Sequence, residues 1–371
     1  MHALPTGEAA AKLGAYELVL ELATHDTTVL LARRTGPRSF ARWVSIRYVG
    51  PFMGDEASAL ERIDREVQRA TSVQHPCVLP IHEAGSLANG RYIVSDYIEG
   101  ATIAEVIDGR PVPAAIVVAI ATDVLSGLEA ISRAEDARGR PLGLVHGRVS
   151  PRSIVVGLDG RTRVADMGLS SVPRKQDNEE VGTQSFHYDA PEVLAGATPT
   201  VRSDVFATAM VLYEALAGRH PLARARRPDE ARRMLATPLP LLSIASPSVP
   251  VDLAEVIARA LSLDESVRYH SAESFSAAIE RALAPASFRE VGAFVAERAG
   301  ARVDAKRQLS NEWVRAHAAA LGEPTISTVA RLRQRARLIA ARRRKEMRAL
   351  AVVALVLAGA AMGVVAWKLS F

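Results

Sequence analysis

Cysteine is nearly absent: Cys77 is the only one in 371 residues. That excludes an intrachain disulfide and any zinc site built on a cysteine cluster, and it suits a reducing compartment. Aromatic residues are scarce, at 5%. Residues 1–15 have neither a charged n-region nor a long apolar run, so they read as a disordered leader and not as a signal peptide. A strong charge of one sign is also missing, since the net charge is only +5. The excess is unevenly placed: Arg331, Arg333, Arg335, Arg337, Arg342, Arg343, Arg344, Lys345 and Arg348 crowd one short segment. Such a run can bind nucleic acid, but the apolar stretch directly after it favours a membrane. Hydrophobic residues, in contrast, make up 49% of the chain, enough for the core of one large domain with an appendage.

Between residues 16 and 49, YELVLEL, TTVLLARR and RWVSIRYV alternate or run apolar and predict three strands, with Thr35-Gly36-Pro37-Arg38 as a turn. ALERIDREVQRATSV has helical spacing, with Leu60, Ile63, Val67 and Ala70 on one face. IHEAGSL and RYIVSDYIEG predict two more strands. Residues 113–134 form a long apolar helical stretch, and SDVFATAMVLYEALAGRHPL, starting at Ser203, is a second buried helix closed by Gly218 and Pro221. Residues 284–346 are rich in Ala and Arg and mostly helical in pattern, broken at Gly322-Glu323-Pro324; they carry no visible chemistry and read as a spacer. Residues 349–367 are an uncharged apolar run about as long as a bilayer core requires. The arginines before it predict a single-pass helix in the inner membrane with the large N-terminal part in the cytoplasm. Gly359 and Gly363 have the spacing that permits close helix contact, and so a homodimer.

The densest stretch is residues 144–168, LVHGRVSPRSIVVGLDGRTRVADMG. Ile154-Val155-Val156 and Thr162-Arg163-Val164-Ala165 predict a hairpin turning at Leu158-Asp159-Gly160. It brings the cluster from His146 to Ser153 close to Asp166. This stretch resembles the catalytic centre of eukaryotic-type bacterial serine/threonine protein kinases, where the first cluster reads His-Arg-Asp-Leu-Lys-Pro-x-Asn and the second Asp-Phe-Gly. The resemblance implies an α+β, two-lobed fold with a small lobe over residues 16–98 and a large lobe over 99–283. A basic helical juxtamembrane linker (284–348), the transmembrane helix (349–367) and a short extracytoplasmic tail (368–371) would come next.

The same resemblance assigns roles. His146, Asp204, Glu192 and Arg268 match structural positions: Glu192 of Ala190-Pro191-Glu192 is expected to pair with Arg268. Asp204 is expected either to cap its helix or to bond the backbone at His146 and Gly147. Val44-Ser45-Ile46-Arg47 stands where the family has Val-Ala-Ile-Lys, so Arg47 takes the place of the phosphate-binding lysine, with Glu66 as its expected ion-pair partner. The three positions of the glycine-rich loop hold Ala23, His25 and Thr28. Each adds a Cβ and restricts positive φ.

Elsewhere the catalytic positions depart from the pattern. Gly147 replaces the arginine, Arg148 the catalytic aspartate and Ser153 the metal-binding asparagine, whereas Asp166-Met167-Gly168 keeps the metal-binding aspartate. Asp166 can hold a cation that a nucleotide brings, or salt-bridge to Arg148 or Arg47. Thr183 and Ser185 lie where some kinases are phosphorylated, but the arginine that receives such a phosphate is gone. These departures imply a pseudokinase that needs no cofactor, with at most weak ATP and Mg²⁺ binding. It would act as a scaffold or allosteric partner of another signalling protein such as an active kinase, with the membrane and not nucleic acid as its other contact. The alternatives are an active kinase with non-standard residues and an ATP sensor without transfer.

Overall fold

A computed structural model describes residues 2–3, 12–24, 27–35, 41–50, 56–87, 90–170, 185–237 and 239–318. The alternating stretch at 16–49 forms the body of the small lobe's sheet: β3 (Tyr16–Thr24), β4 (Thr28–Thr35) and β5 (Ala41–Val49) pair antiparallel in succession. Two short strands, β1 (His2–Ala3) and β2 (Lys12–Leu13), pair with β3. β6 (Ile81–Leu87) and β7 (Gly90–Asp96) complete the order β1-β3-β4-β5-β7-β6. The amphipathic helix α1 (Glu56–Ala70) turns Ile63 and Val67 inward, where they meet Val49, Ile93 and Leu169.

The chain leaves the small lobe after Asp96. β8 (Gly100–Thr102) pairs with β9 (Ile154–Gly157), and β9 with β10 (Thr162–Val164), so the predicted hairpin is present. A capping box of Thr102 and Glu105 starts α2 (Ile103–Ile107). α3 (Ala114–Ser132) is apolar and long enough to cross a bilayer, yet it is mostly buried among protein side chains, as a core helix should be. α4 (Pro191–Leu194) is a single turn. α5 (Val201–Ala217) is buried along nearly its whole length; Thr200 and Ser203 cap its start, and Gly218 ends it in the left-handed region at φ 69°. α6 (Pro228–Met234), α7 (Leu242–Ala245), α8 (Val251–Ala260) and α9 (Ala272–Ala282) close the large lobe, with α9 packed on α3.

Beyond α9 the structure corrects the linker boundary. α10 (Phe288–Ala318) does not lead away from the domain. Val291, Val295 and Ala299 are buried in the large-lobe core, and Trp313 is buried against Val19, Leu20 and Leu31 of the small lobe. Packing, not composition, decides this: four-residue spacing lines up a narrow apolar stripe amid Ala and Arg. The expectation of a disordered leader is corrected in part, because His2–Ala3 and Lys12–Leu13 are strands paired with β3. The rest of it up to residue 11, the basic run, the apolar run at 349–367 with Gly359 and Gly363, and Thr183 lie outside the described residues.

A buried histidine pair sits under the turn Ser185–Tyr188. The His187 and His220 rings stack at 5.1 Å, and Tyr188 Oη donates to Glu214 at 2.5 Å. His187 Nε2 lies 2.7 Å from the Ala225 carbonyl. His220 Nδ1 accepts from Leu222 N at 3.0 Å, which leaves the neutral ring's proton on Nε2, a buried atom with no hydrogen-bond partner among the described residues. Burial pushes both pKa values below the usual histidine range. The unfolded chain therefore takes up these protons first, and stability falls as the pH drops below about 6.5. Thermal midpoints measured from pH 7.5 to 5 should decline, and His220→Phe should flatten that decline; an unchanged slope refutes the assignment.

Candidate active site

The β9–β10 hairpin sets the centre of the site. Ala165 N donates to Ser153 O at 2.7 Å, so the two polar clusters adjoin as the sequence predicted. His146 is fully buried, and its Nε2 meets the Ala165 carbonyl at 2.7 Å. Asp204 takes the second of its two expected roles: its carboxylate accepts from His146 N and Gly147 N, both at 2.8 Å. Helix capping falls to Thr200 instead.

Gly147 occupies φ +70°, and a Cβ there would stand 2.7 Å from the Ser170 Cβ and 3.3 Å from Pro199. Space as well as backbone conformation thus opposes an arginine at this position. Arg148 N donates to His146 Nδ1 at 3.2 Å, which folds the loop back on itself. Ser153 is buried and its hydroxyl is spent locally, accepting from Ser150 N at 3.0 Å and donating to Ser150 O at 3.0 Å. It closes a turn, which is a structural use of a position where the family has a metal ligand.

Asp166 has φ +69°, uncommon for a residue with a side chain. Its carboxylate salt-bridges to Arg47, both side chains being mostly shielded. Arg47 also donates to Thr27 Oγ1, in the turn between β3 and β4. This corrects the expected Arg47–Glu66 pair: among the described residues the ion pair of Arg47 is with Asp166, and Glu66 accepts from Ser170 Oγ at 2.9 Å. The planar guanidinium, longer than a lysine ammonium, spans from the sheet to the hairpin.

At the loop positions, Ala23 pairs with Val29 and Thr28 with Thr24, so both belong to the β3–β4 ladder; His25 lies outside the described residues. Thr27 and Ser170 are site residues that sequence reasoning missed. Both flank matched motifs, and only the distance to Arg47 and Glu66 reveals them. Lower down, Arg268 grips Glu192 through two bonds of 2.7 and 2.9 Å, as expected.

A magnesium ion held as in an active kinase needs oxygen ligands not already engaged. Asp166 is paired with a guanidinium, Ser153 closes its own loop, and no cluster of three or more His, Cys, Asp or Glu side chains suited to a metal exists among the described residues. The donor set does not fit the ion.

A family model described as the protein kinase domain matches residues 52–278. The chain is similar to tyrosine-protein kinase MasK of Myxococcus xanthus, 28% identical over 275 residues that cover 72% of this chain and 43% of that protein. It is similar to serine/threonine-protein kinase PrkC of Bacillus subtilis, 30% identical over 65% of this chain and 36% of that protein. It therefore spans less than half the length of either relative. Among solved structures, the Mycobacterium tuberculosis PknI kinase domain superposes with a TM-score of 0.58 at 26% identity, covering 76% of this chain and 99% of that one.

Proposed function

This chain belongs to the protein kinase family, and from that premise we propose that it is a pseudokinase, a kinase fold whose phosphoryl transfer is lost and which serves as a signalling scaffold or allosteric regulator. One observation carries the reading: the acid that would anchor the metal is neutralised by Arg47. The position of the proton acceptor supports it, since Arg148 there is a cation. General-base contributions are about 10²–10⁴-fold, and losses at the metal anchors compound with them, though not additively.

The decisive experiment uses the purified full chain in detergent with MgATP, labelled phosphate and a generic protein substrate. No incorporation above an Asp166→Ala control is expected. Incorporation abolished by that substitution would overturn the proposal in favour of an active kinase with non-standard residues.

A second reading, an ATP sensor without transfer, is favoured by the retention of Asp166 in its left-handed conformation. Thermal shift separates the two. A ligand at a hundred times its Kd stabilises by about 2.7 kcal/mol, so a sensor gives a clear rise at millimolar MgATP, while a scaffold that needs no cofactor gives none. As part of the same proposal, the basic run and the apolar run at 349–367 anchor the protein in the inner membrane, and Gly359 and Gly363 favour a homodimer there. Recovery in the soluble fraction would refute the anchor.

A further inference from the structure

The most unusual part of the molecule lies outside the cleft. α10 touches the large lobe at its start, the segment just past the hinge (the crossing between the lobes after Asp96) along its middle, and the small lobe at its end. A helix of its 31 residues is about 46 Å long at roughly 1.5 Å per residue. We propose that α10 is an interlobe clasp that fixes the angle between the lobes, making its docking a regulatory element of the fold.

The lower attachment is backbone on backbone. A Cβ added at Gly160, in the β9–β10 turn, would stand 1.8 Å from the Phe288 carbonyl oxygen, and one at Gly292 would stand 2.5 Å from Leu158 O. Glycine at both places lets the helix start sit on the hairpin that carries Asp166. The Arg161 guanidinium also lies 4.6 Å over the Phe288 ring.

The middle is electrostatic. Arg298 donates to Pro111 O at 2.8 Å, Arg302 to Glu105 O at 3.1 Å, and Arg307 to Glu99 at 2.7 Å. Lys306, buried, pairs with Glu105 at 3.0 Å. Burial alone would raise the Glu105 carboxyl, but Lys306 and the Thr102 hydrogen bonds outweigh it and hold the group below its usual range. These contacts all fall on the segment just past the hinge.

The upper attachment is apolar. Trp313 is 5% exposed, packed on Val19 and Leu20 of β3 and Leu31 of β4, with Leu309 and Tyr97 beside it. A rod seated on both sides of a hinge removes the hinge's freedom, because changing the interlobe angle must unseat either Trp313 or the ion pairs. Release of the clasp would return that freedom. In the sequence the basic run, from Arg331, follows the end attached to the small lobe after the break at Gly322-Glu323-Pro324.

The experiment uses the full chain in detergent. Cys77, the only native cysteine, is replaced by alanine, and spin labels are attached at Glu61→Cys on α1 and Glu280→Cys on α9, both exposed positions. Electron–electron double resonance should give one narrow interlobe distance distribution. Trp313→Ala should broaden or shift it. The Lys306→Ala/Arg307→Ala variant, which removes the two cations and their aliphatic stems but leaves Trp313 in place, should do so to a smaller degree. A second label pair within the large lobe, at Glu265→Cys and Glu280→Cys, should keep its distance in both variants and so separates release of the clasp from unfolding. An unchanged narrow interlobe distribution in both variants would overturn the clasp, as would a change of equal size in the large-lobe pair.

Discussion

Arg268→Ala is expected to cost about 3–5 kcal/mol of stability, the range for removing one partner of a buried ion pair. The Arg268 side chain is fully buried. Its fork meets Glu192 at 2.7 and 2.9 Å, its Nε donates to Ser262 O at 2.7 Å, and its guanidinium lies 4.9 Å over the Phe206 ring. Alanine therefore leaves a carboxylate without its counter-charge and a carbonyl without its donor, beside the void of a large side chain. For a domain of this size each kcal/mol moves the midpoint by roughly 2–4 °C, so thermal denaturation should show a drop of about 6–20 °C. Arg268→Lys should recover little of it, because an ammonium cannot bond both carboxylate oxygens and Ser262 in one plane. A drop below about 2 °C for alanine would show that the pair is not what holds α4 to the segment between α8 and α9.

Much of this frame was readable in advance, for a physical reason. Helix α1 has an apolar face at helical spacing, α3 and α5 are long runs buried on most sides, the strands of the small lobe run apolar, and Glu192, Asp204 and Arg268 lie in motifs whose spacing survives. The choice of partners inside the cleft was not readable. Arg47 has two acids within the reach of its motif, Glu66 and Asp166, and the turn of α1 against the hairpin selects between them. That is a tertiary property, with no local trace in the chain. That residues 288–318 are helical was foreseen, but their docking on the domain was missed for another reason. Val291, Val295, Ala299 and Val303 recur every four residues, a helical signal, but the stripe is narrow and its neighbours are Ala and Arg, which equally suit a spacer. Trp313, one of only three tryptophans, was the better clue: a large apolar ring in a polar segment needs a surface to cover it.

Asp204→Ala should cost roughly 2–6 kcal/mol, because it strands two shielded amides at about 1–3 kcal/mol each. The carboxylate is 5% exposed, and its two oxygens take one bond each, from His146 N and Gly147 N. Burial pushes its pKa up, opposed by His146 and by those two donors, and the net is upward. The folded state thus holds this proton more readily than the unfolded chain does. Asp204 contributes stability below its unfolded pKa that is lost as the pH rises through the folded value, opposite in sign to His187 and His220. Asp204→Asn keeps one carbonyl acceptor and should recover part of the loss at neutral pH. Hydrogen exchange at His146 and Gly147 reads the effect directly: both amides should be protected in the native chain and exchange faster in the alanine variant. Equal protection would mean that the loop is held by the His146–Ala165 contact instead. Either outcome bears on why this aspartate persists beside Arg148. Whether or not this loop moves a proton, it has to be held if the lobe is to present a fixed surface.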